Sequence, residues 1–152
     1  MPGRRRLAER RSRAPVGVHE SGQRRAIGAG TAPLVLVVDD YEDNREIYAA
    51  FLAHKGYRVM TASDGEDALA ILDEHVPAIV LMDLAMPRLD GWETTRRIKA
   101  DARLRDIPVV AITGHVLSEP LHRAEHAGAD AVLTKPATPE EVLATVERLL
   151  AR

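Results

Sequence analysis

Residues 34–40 read Leu34-Val35-Leu36-Val37-Val38-Asp39-Asp40. Five consecutive apolar residues are too few for a helix and suit a strand buried on both faces, as in a parallel sheet. The run stops in two carboxylates. Val80-Leu81-Met82-Asp83 repeats the pattern, and Leu133-Thr134-Lys135-Pro136 closes in an ammonium instead. Val109-Val110-Ala111-Ile112-Thr113 closes in a hydroxyl. Polar groups gathered at strand exits suit a site that grips a divalent cation and a phosphoryl group.

The intervening residues carry helical spacing. Glu42 to Lys55 sets Ile47, Tyr48, Phe51 and Leu52 on a helical repeat, and Gly56 stands where that helix stops. Tyr57–Thr61 reads as the second strand. Ser63-Asp64-Gly65-Glu66 is a capping box opening a helix through Leu69 and Leu72 to His75. Pro77 breaks the chain before the third strand, Ala78–Met82. Asp90-Gly91 turns into a helix from about Trp92 to Ala102, and Pro108 precedes the fourth strand, Val109–Ile112. A helix from about Glu119 to His126 ends at Gly128, and Ala131–Leu133 is the fifth strand. Thr138-Pro139-Glu140-Glu141 joins a capping box to a proline at the first helical position, and the last helix buries Val142, Val146 and Leu149 or Leu150. Five βα units predict an α/β fold: a doubly wound five-stranded parallel sheet, flavodoxin-like, in strand order 2-1-3-4-5.

Composition bounds the function classes. The 152 residues suffice for one domain plus a tail and include no Cys, which excludes disulfide and thiol chemistry and fits a reducing cytoplasm. No apolar run reaches the roughly 18–20 residues needed to span a bilayer. The N-terminal arginines have no apolar segment behind them, so they do not form a secretory signal. The net charge of −2 is unevenly spread: residues 1–33 hold eight Arg against Glu9 and Glu20, whereas residues 34–152 hold 13 basic against 21 acidic side chains. A basic tail, 1–33, expected to be disordered, therefore precedes an acidic globular domain, 34–152.

In an open doubly wound sheet, ligands sit outside the carboxyl ends of the strands where the strand order reverses. Order 2-1-3-4-5 puts Asp39 and Asp40 beside Asp83, with Thr113 next along and Lys135 on the far side. Three packed carboxylates repel unless a cation neutralises them, and Mg2+ suits such oxygen ligands. With the metal present, Asp83 can be a nucleophile toward phosphorus. Mg2+, Lys135 and Thr113 can then share the equatorial oxygens of the phosphoryl group.

These residues resemble the receiver domain of two-component response regulators. The resemblance covers 34–152 and rests on Val37-Val38-Asp39-Asp40, Met82-Asp83-Leu84-Ala85-Met86-Pro87, Asp90-Gly91, Ile112-Thr113-Gly114 and Lys135-Pro136. The separations agree: 43 residues from Asp40 to Asp83, 30 to Thr113 and 22 more to Lys135. The resemblance implies that Asp83 is the phosphoacceptor and that Asp39, Asp40, Asp83 and the Ala85 carbonyl hold Mg2+. It makes Thr113 the switch hydroxyl, Lys135 the phosphate-binding ammonium and Lys135-Pro136 a cis peptide. The implied partners are a sensor histidine kinase or histidine phosphotransfer protein and a downstream protein target. Nothing in the tail reads as a helix-turn-helix, so no DNA-binding output domain is expected.

Four positions depart from the common pattern. Val132 stands where an aromatic often follows the switch hydroxyl, Ala85 leaves no side chain over the phosphoryl group, His115 follows Gly114, and Ala137 replaces an aromatic. A haloacid-dehalogenase-type phosphohydrolase, the main rival, wants an Asp at position 85. An unphosphorylated pseudo-receiver, the second rival, does not need the intact set of site residues. His122 and His126 share a helix face at zinc-ligand spacing, but a solvated face is the plainer reading. The Arg-rich tail suits nucleic acid or anionic lipid by charge alone and lacks aromatic interleaving.

Overall fold

In the computed structural model, which describes residues 26, 27, 31–84, 86, 89–114 and 128–151, the apolar run Leu34–Val38 forms β1 with every residue buried. β1 lies between β2 (Arg58–Ala62) and β3 (Ile79–Asp83), followed by β4 (Val109–Thr113) and β5 (Ala131–Thr134). All four pairings are parallel and give the order β2-β1-β3-β4-β5. The described helices are α1 (Glu42–His54), α2 (Gly65–Leu72), α3 (Gly91–Ala100) and α4 (Pro139–Leu150). This is the expected doubly wound sheet. The helix expected over about 119–126 lies outside the described residues.

Strand alternation splits the core in two. Leu34, Leu36 and Val38 face one side and pack with Ala68, Leu72 and Ile98 from α2 and α3. Val35 and Val37 face the other side and pack with Tyr48 and Leu52 of α1 and Val142 and Val146 of α4. Burial on both faces explains why β1 carries no polar residue before Asp39.

Local chemistry sets the helix ends. At the end of α1, Gly56 takes φ +104°, open to glycine at no steric cost. Gly56 N then donates to the Ala53 carbonyl and Tyr57 N to that of Leu52, which closes a Schellman motif. The N-cap of α2 sits one residue beyond the predicted Ser63, and the predicted Ser63–Glu66 capping box does not form: Asp64 accepts from Asp67 N at 2.7 Å, and the Asp67 carboxylate accepts from Ser63 N at 3.1 Å. A carboxylate outcompetes a hydroxyl for a backbone N–H, which explains the shift. That helix stops at Leu72 rather than His75, its last carbonyl taken by the Arg103 guanidinium.

Each of the last four strands ends one residue later than its sequence pattern predicts, and β2 and β3 also begin one residue later. Parallel hydrogen bonding carries Asp83 and Thr113 into the ends of β3 and β4, with Asp83 in register with Ile112 and Thr113 with Thr134. The strand ladder, not a loop, thus sets the backbone of both residues. At the opposite end of the sheet, Lys99 Nζ donates to the Arg105 and Ile107 carbonyls and to Asp130 Oδ2, which also accepts from Val109 N.

Two further backbone contacts stand out. The first is Gly91, at the start of α3, where a Cβ would stand 2.3 Å from the Asp83 carbonyl oxygen and 2.7 Å from Leu84 Cα. Only a glycine lets α3 approach the end of β3 this closely. The second is Ile27, upstream of the boundary drawn at Leu34, which forms an antiparallel bridge with Val59 on the outer edge of β2. Ile27 N donates to the Val59 carbonyl at 3.0 Å, and Val59 N donates back at 2.8 Å.

Gly91→Ala should therefore lower stability by about 3 kcal/mol, the upper range for overpacking against backbone that cannot move aside; urea denaturation measures it. Removing residues 1–30, which spares the Arg58 bonds to the Ala32 and Pro33 carbonyls, should lower stability by about 1–2 kcal/mol relative to removing residues 1–25, for two backbone hydrogen bonds and part of an isoleucine side chain. Calorimetry on the two truncations checks this, and equal stability would show that the bridge contributes nothing.

Candidate functional site

Asp39 leaves β1 under tight restraint. Its N–H donates to the Ala62 carbonyl at 3.1 Å, its Oδ1 accepts from Tyr41 N at 2.9 Å, and its carbonyl accepts from Arg45 Nη1 at 2.8 Å. Its carboxylate is buried, whereas the adjacent Asp40 is exposed. Across the β1–β3 pair, Asp83 ends β3 with only 3% of its surface accessible. Asp39, Asp40 and Asp83 each offer a carboxylate oxygen, and these atoms lie within 4.8 Å of one another.

Opposite them stands one ammonium. Lys135 follows β5, its N–H donating to the Thr113 carbonyl at 2.7 Å and its Nζ donating to Asp83 Oδ1 at 3.2 Å. Thr113 is buried at the end of β4, beside the end of β3. The structure thus brings Asp39, Asp40, Asp83 and Lys135 together, with Thr113 on the same rim. The Lys135-Pro136 peptide is cis, as the resemblance implies. Ala85 and His115 lie outside the described residues, as do His122 and His126. Val132 is half-buried against the α2/α3 side of the core, and Ala137 is buried.

The electrostatics follow from this packing. Burial pushes the Asp39 carboxyl above its usual range, and Asp40 adds to the rise; the Tyr41 amide and the Lys135 charge pull it back. Among the described residues, the three carboxylates outnumber the Lys135 ammonium and the Arg45 guanidinium behind Asp39, and their clustered oxygen donors suit a small hard divalent cation.

Two residues join the site that sequence spacing does not single out. Arg45 holds the Asp39 carbonyl from α1. Tyr48, which the helical spacing marks as core, donates its hydroxyl to the Ala137 carbonyl at 2.8 Å. Burial, then the Asp39 and Asp83 charges, hold its phenol above the usual value. No sequence signal distinguishes such a tyrosine from an ordinary core aromatic, because its acceptor is a backbone carbonyl 89 residues away.

Comparison with known proteins agrees with this geometry. The family model described as "Response regulator receiver domain" matches residues 35–147. The response regulator Rre1 of Synechocystis sp. is 37% identical over 119 residues, which cover 78% of this chain and 52% of Rre1. The chain therefore spans about half the length of that relative. The polar-differentiation response regulator DivK of Brucella ovis is 31% identical over 116 residues, covering 76% of this chain and 94% of DivK. Among solved structures, the receiver domain of the sensor histidine kinase PA1611 from Pseudomonas aeruginosa superposes with a TM-score of 0.75 at 30% identity, covering 80% of this chain and 100% of that domain. That structure carries a magnesium ion coordinated in its active-site cleft. With the strand order, the acidic rim and its facing lysine in place, the chain belongs to the response regulator receiver domain family of two-component systems.

Proposed function

We propose that this chain accepts a phosphoryl group on Asp83 from a phosphohistidine of a sensor histidine kinase or histidine phosphotransfer protein, and that a downstream protein reads the phosphorylated form. The observation that carries the reading is the setting of Asp83. It is a buried carboxylate at a strand end, with Asp39 and Asp40 on one side and Lys135 Nζ 3.2 Å away on the other. In the transfer, a carboxylate oxygen of Asp83 bonds to phosphorus while the P–N bond breaks and its electron pair returns to the imidazole. Asp39, Asp40 and Asp83, with the Ala85 carbonyl that the resemblance implies, would hold Mg2+, which would supply positive charge to offset the incoming phosphoryl oxygens. Lys135 moves its ammonium from the carboxylate to a phosphoryl oxygen, and Thr113 donates its hydroxyl to another. Residues 34–152 form the receiver unit in this reading, and 1–33 a basic extension.

Phosphorylation then biases a conformational equilibrium. Val132, β-branched and stiff at χ1, lacks the reach to relay a movement of Thr113 through β5. Gly114, by contrast, meets no described residue within 4 Å of where a Cβ would stand. The change therefore runs through Gly114 and the segment after it.

Three measurements test this reading. Acetyl phosphate with Mg2+ should add one phosphate, seen by intact mass, and Asp83→Asn should take none; full labelling of that variant would sink the assignment. Beryllofluoride, a phosphoryl mimic, should change hydrogen exchange mainly between Thr113 and about Ala127, and a response confined to Val132 would overturn the proposed route.

The third concerns Asp39. Its raised pKa means the folded chain keeps that proton to a higher pH than the unfolded chain. Stability is therefore lost as pH rises from the ordinary value of 3.8 through the raised one. Asp39→Asn removes this loss. In chelator it should melt above wild type, with the gap opening over that window and persisting at higher pH. Mg2+ should then raise the wild-type midpoint more than that of the variant.

A further inference from the structure

Tyr48 is buried in α1, and its hydroxyl donates to the Ala137 carbonyl, two residues beyond Lys135. The turn from Lys135 to Thr138 is held at both ends by other elements. At its start, Lys135 N donates to the Thr113 carbonyl at 2.7 Å. At its end, Thr138 N donates to Glu141 Oε1 at 2.9 Å, and Thr138 Oγ1 accepts from Glu141 N at 3.1 Å. The sheet thus grips one end and α4 the other, and the Tyr48 hydroxyl grips the middle. Between Lys135 and Ala137 the chain has few soft torsions, because peptide units are planar and Pro136 has its φ set by the ring. A displacement at the Ala137 carbonyl is therefore passed to Lys135 with little loss.

Resting on the phosphoacceptor reading of Asp83, we infer that Tyr48 is a positioning residue for the Lys135 ammonium, and that α1 thereby holds both halves of the site. Arg45, three residues earlier on the same helix face, holds the Asp39 carbonyl at 2.8 Å. The carboxylate side and the ammonium side of the pocket are thus fixed to one helix, at Arg45 and Tyr48. The phenol stays protonated and able to donate across ordinary pH, since burial and the neighbouring Asp39 and Asp83 charges disfavour its ionised form. Its ring also packs in the α1/α4 half of the core, so the hydroxyl can be deleted without opening a cavity.

Tyr48→Phe makes that deletion and leaves the Ala137 carbonyl without its donor. Labelling of Asp83 by acetyl phosphate at saturating Mg2+ should slow roughly tenfold, the scale expected when a reacting group is held loosely. Mg2+ affinity, read by calorimetry, should stay at the wild-type value, because the carboxylates are untouched. Exchange of the Lys135 amide should quicken, a readout that needs no phosphorylation. Val146→Ala, in the same core cluster, controls for plain destabilisation. It should lower the melting temperature at least as much, yet label at the wild-type rate with Lys135 exchange unchanged. The inference is overturned if Tyr48→Phe labels at the wild-type rate, or if Val146→Ala slows labelling equally. A wild-type chain that takes no label overturns the reading of Asp83 instead, and Lys135 exchange still decides whether Tyr48 holds the turn.

Discussion

The contact between Lys135 Nζ and Asp83 Oδ1, at 3.2 Å, joins a half-buried ammonium to a carboxylate that is 3% exposed. Its setting explains much of the rest. Adjacent strands run roughly 4.7–4.9 Å apart, so neighbouring β1 and β3 force the carboxylates at their ends into one another's field. Asp39, Asp40 and Asp83 accordingly have ligand atoms within 4.8 Å. Such a cluster opposes folding, and a single ammonium only partly offsets it, since burying a charge pair brings a desolvation penalty of its own. The apolar layers on both faces of the sheet supply the compensating stability. The site is a local electrostatic liability held in place by the hydrophobic core.

Holding it requires geometry as well as energy. Asp39 is fixed from three directions, its backbone by Ala62 and Arg45 and its carboxylate by the Tyr41 amide. Asp83 and Thr113 end strands whose ladders continue past them, as in the Leu84 N–H donation to the Ile112 carbonyl at 3.1 Å. Gly91 lets α3 close against the Asp83 backbone, where any side chain would collide. Receiver domains are signalling domains, and here the backbones of Asp39, Asp83 and Lys135 are each tied to the sheet. Among the described residues, nothing comes within 4 Å of where a Gly114 Cβ would stand, directly after buried Thr113, in contrast to the dense packing behind Asp39 and Asp83.

Much of this was legible in the sequence because it is written in local periodicity. Leu34–Val38 could only be a strand buried on both faces, and the alternation of such runs with amphipathic stretches determined a doubly wound parallel sheet. Asp39, Asp40, Asp83, Thr113 and Lys135 stand out because each interrupts or closes an apolar run with a polar group, a contrast visible without coordinates. What was misplaced was local competition: whether Ser63 or Asp64 caps α2, and whether a strand stops before or after its last polar residue. Those outcomes depend on which hydrogen-bond partner arrives from elsewhere in the chain.

Only the tertiary structure decided the contacts that join distant residues through the backbone. The Tyr48 hydroxyl on the Ala137 carbonyl, the Arg45 guanidinium on that of Asp39, the Ile27–Val59 bridge and the Gly91 approach to Asp83 all end on main-chain atoms. Every residue has the same carbonyl and nearly every one the same N–H, so the sequence carries no mark of which are to be met. Side-chain type and spacing determined the strands, the helices and the charged rim; the packing of those elements determined what holds the rim still.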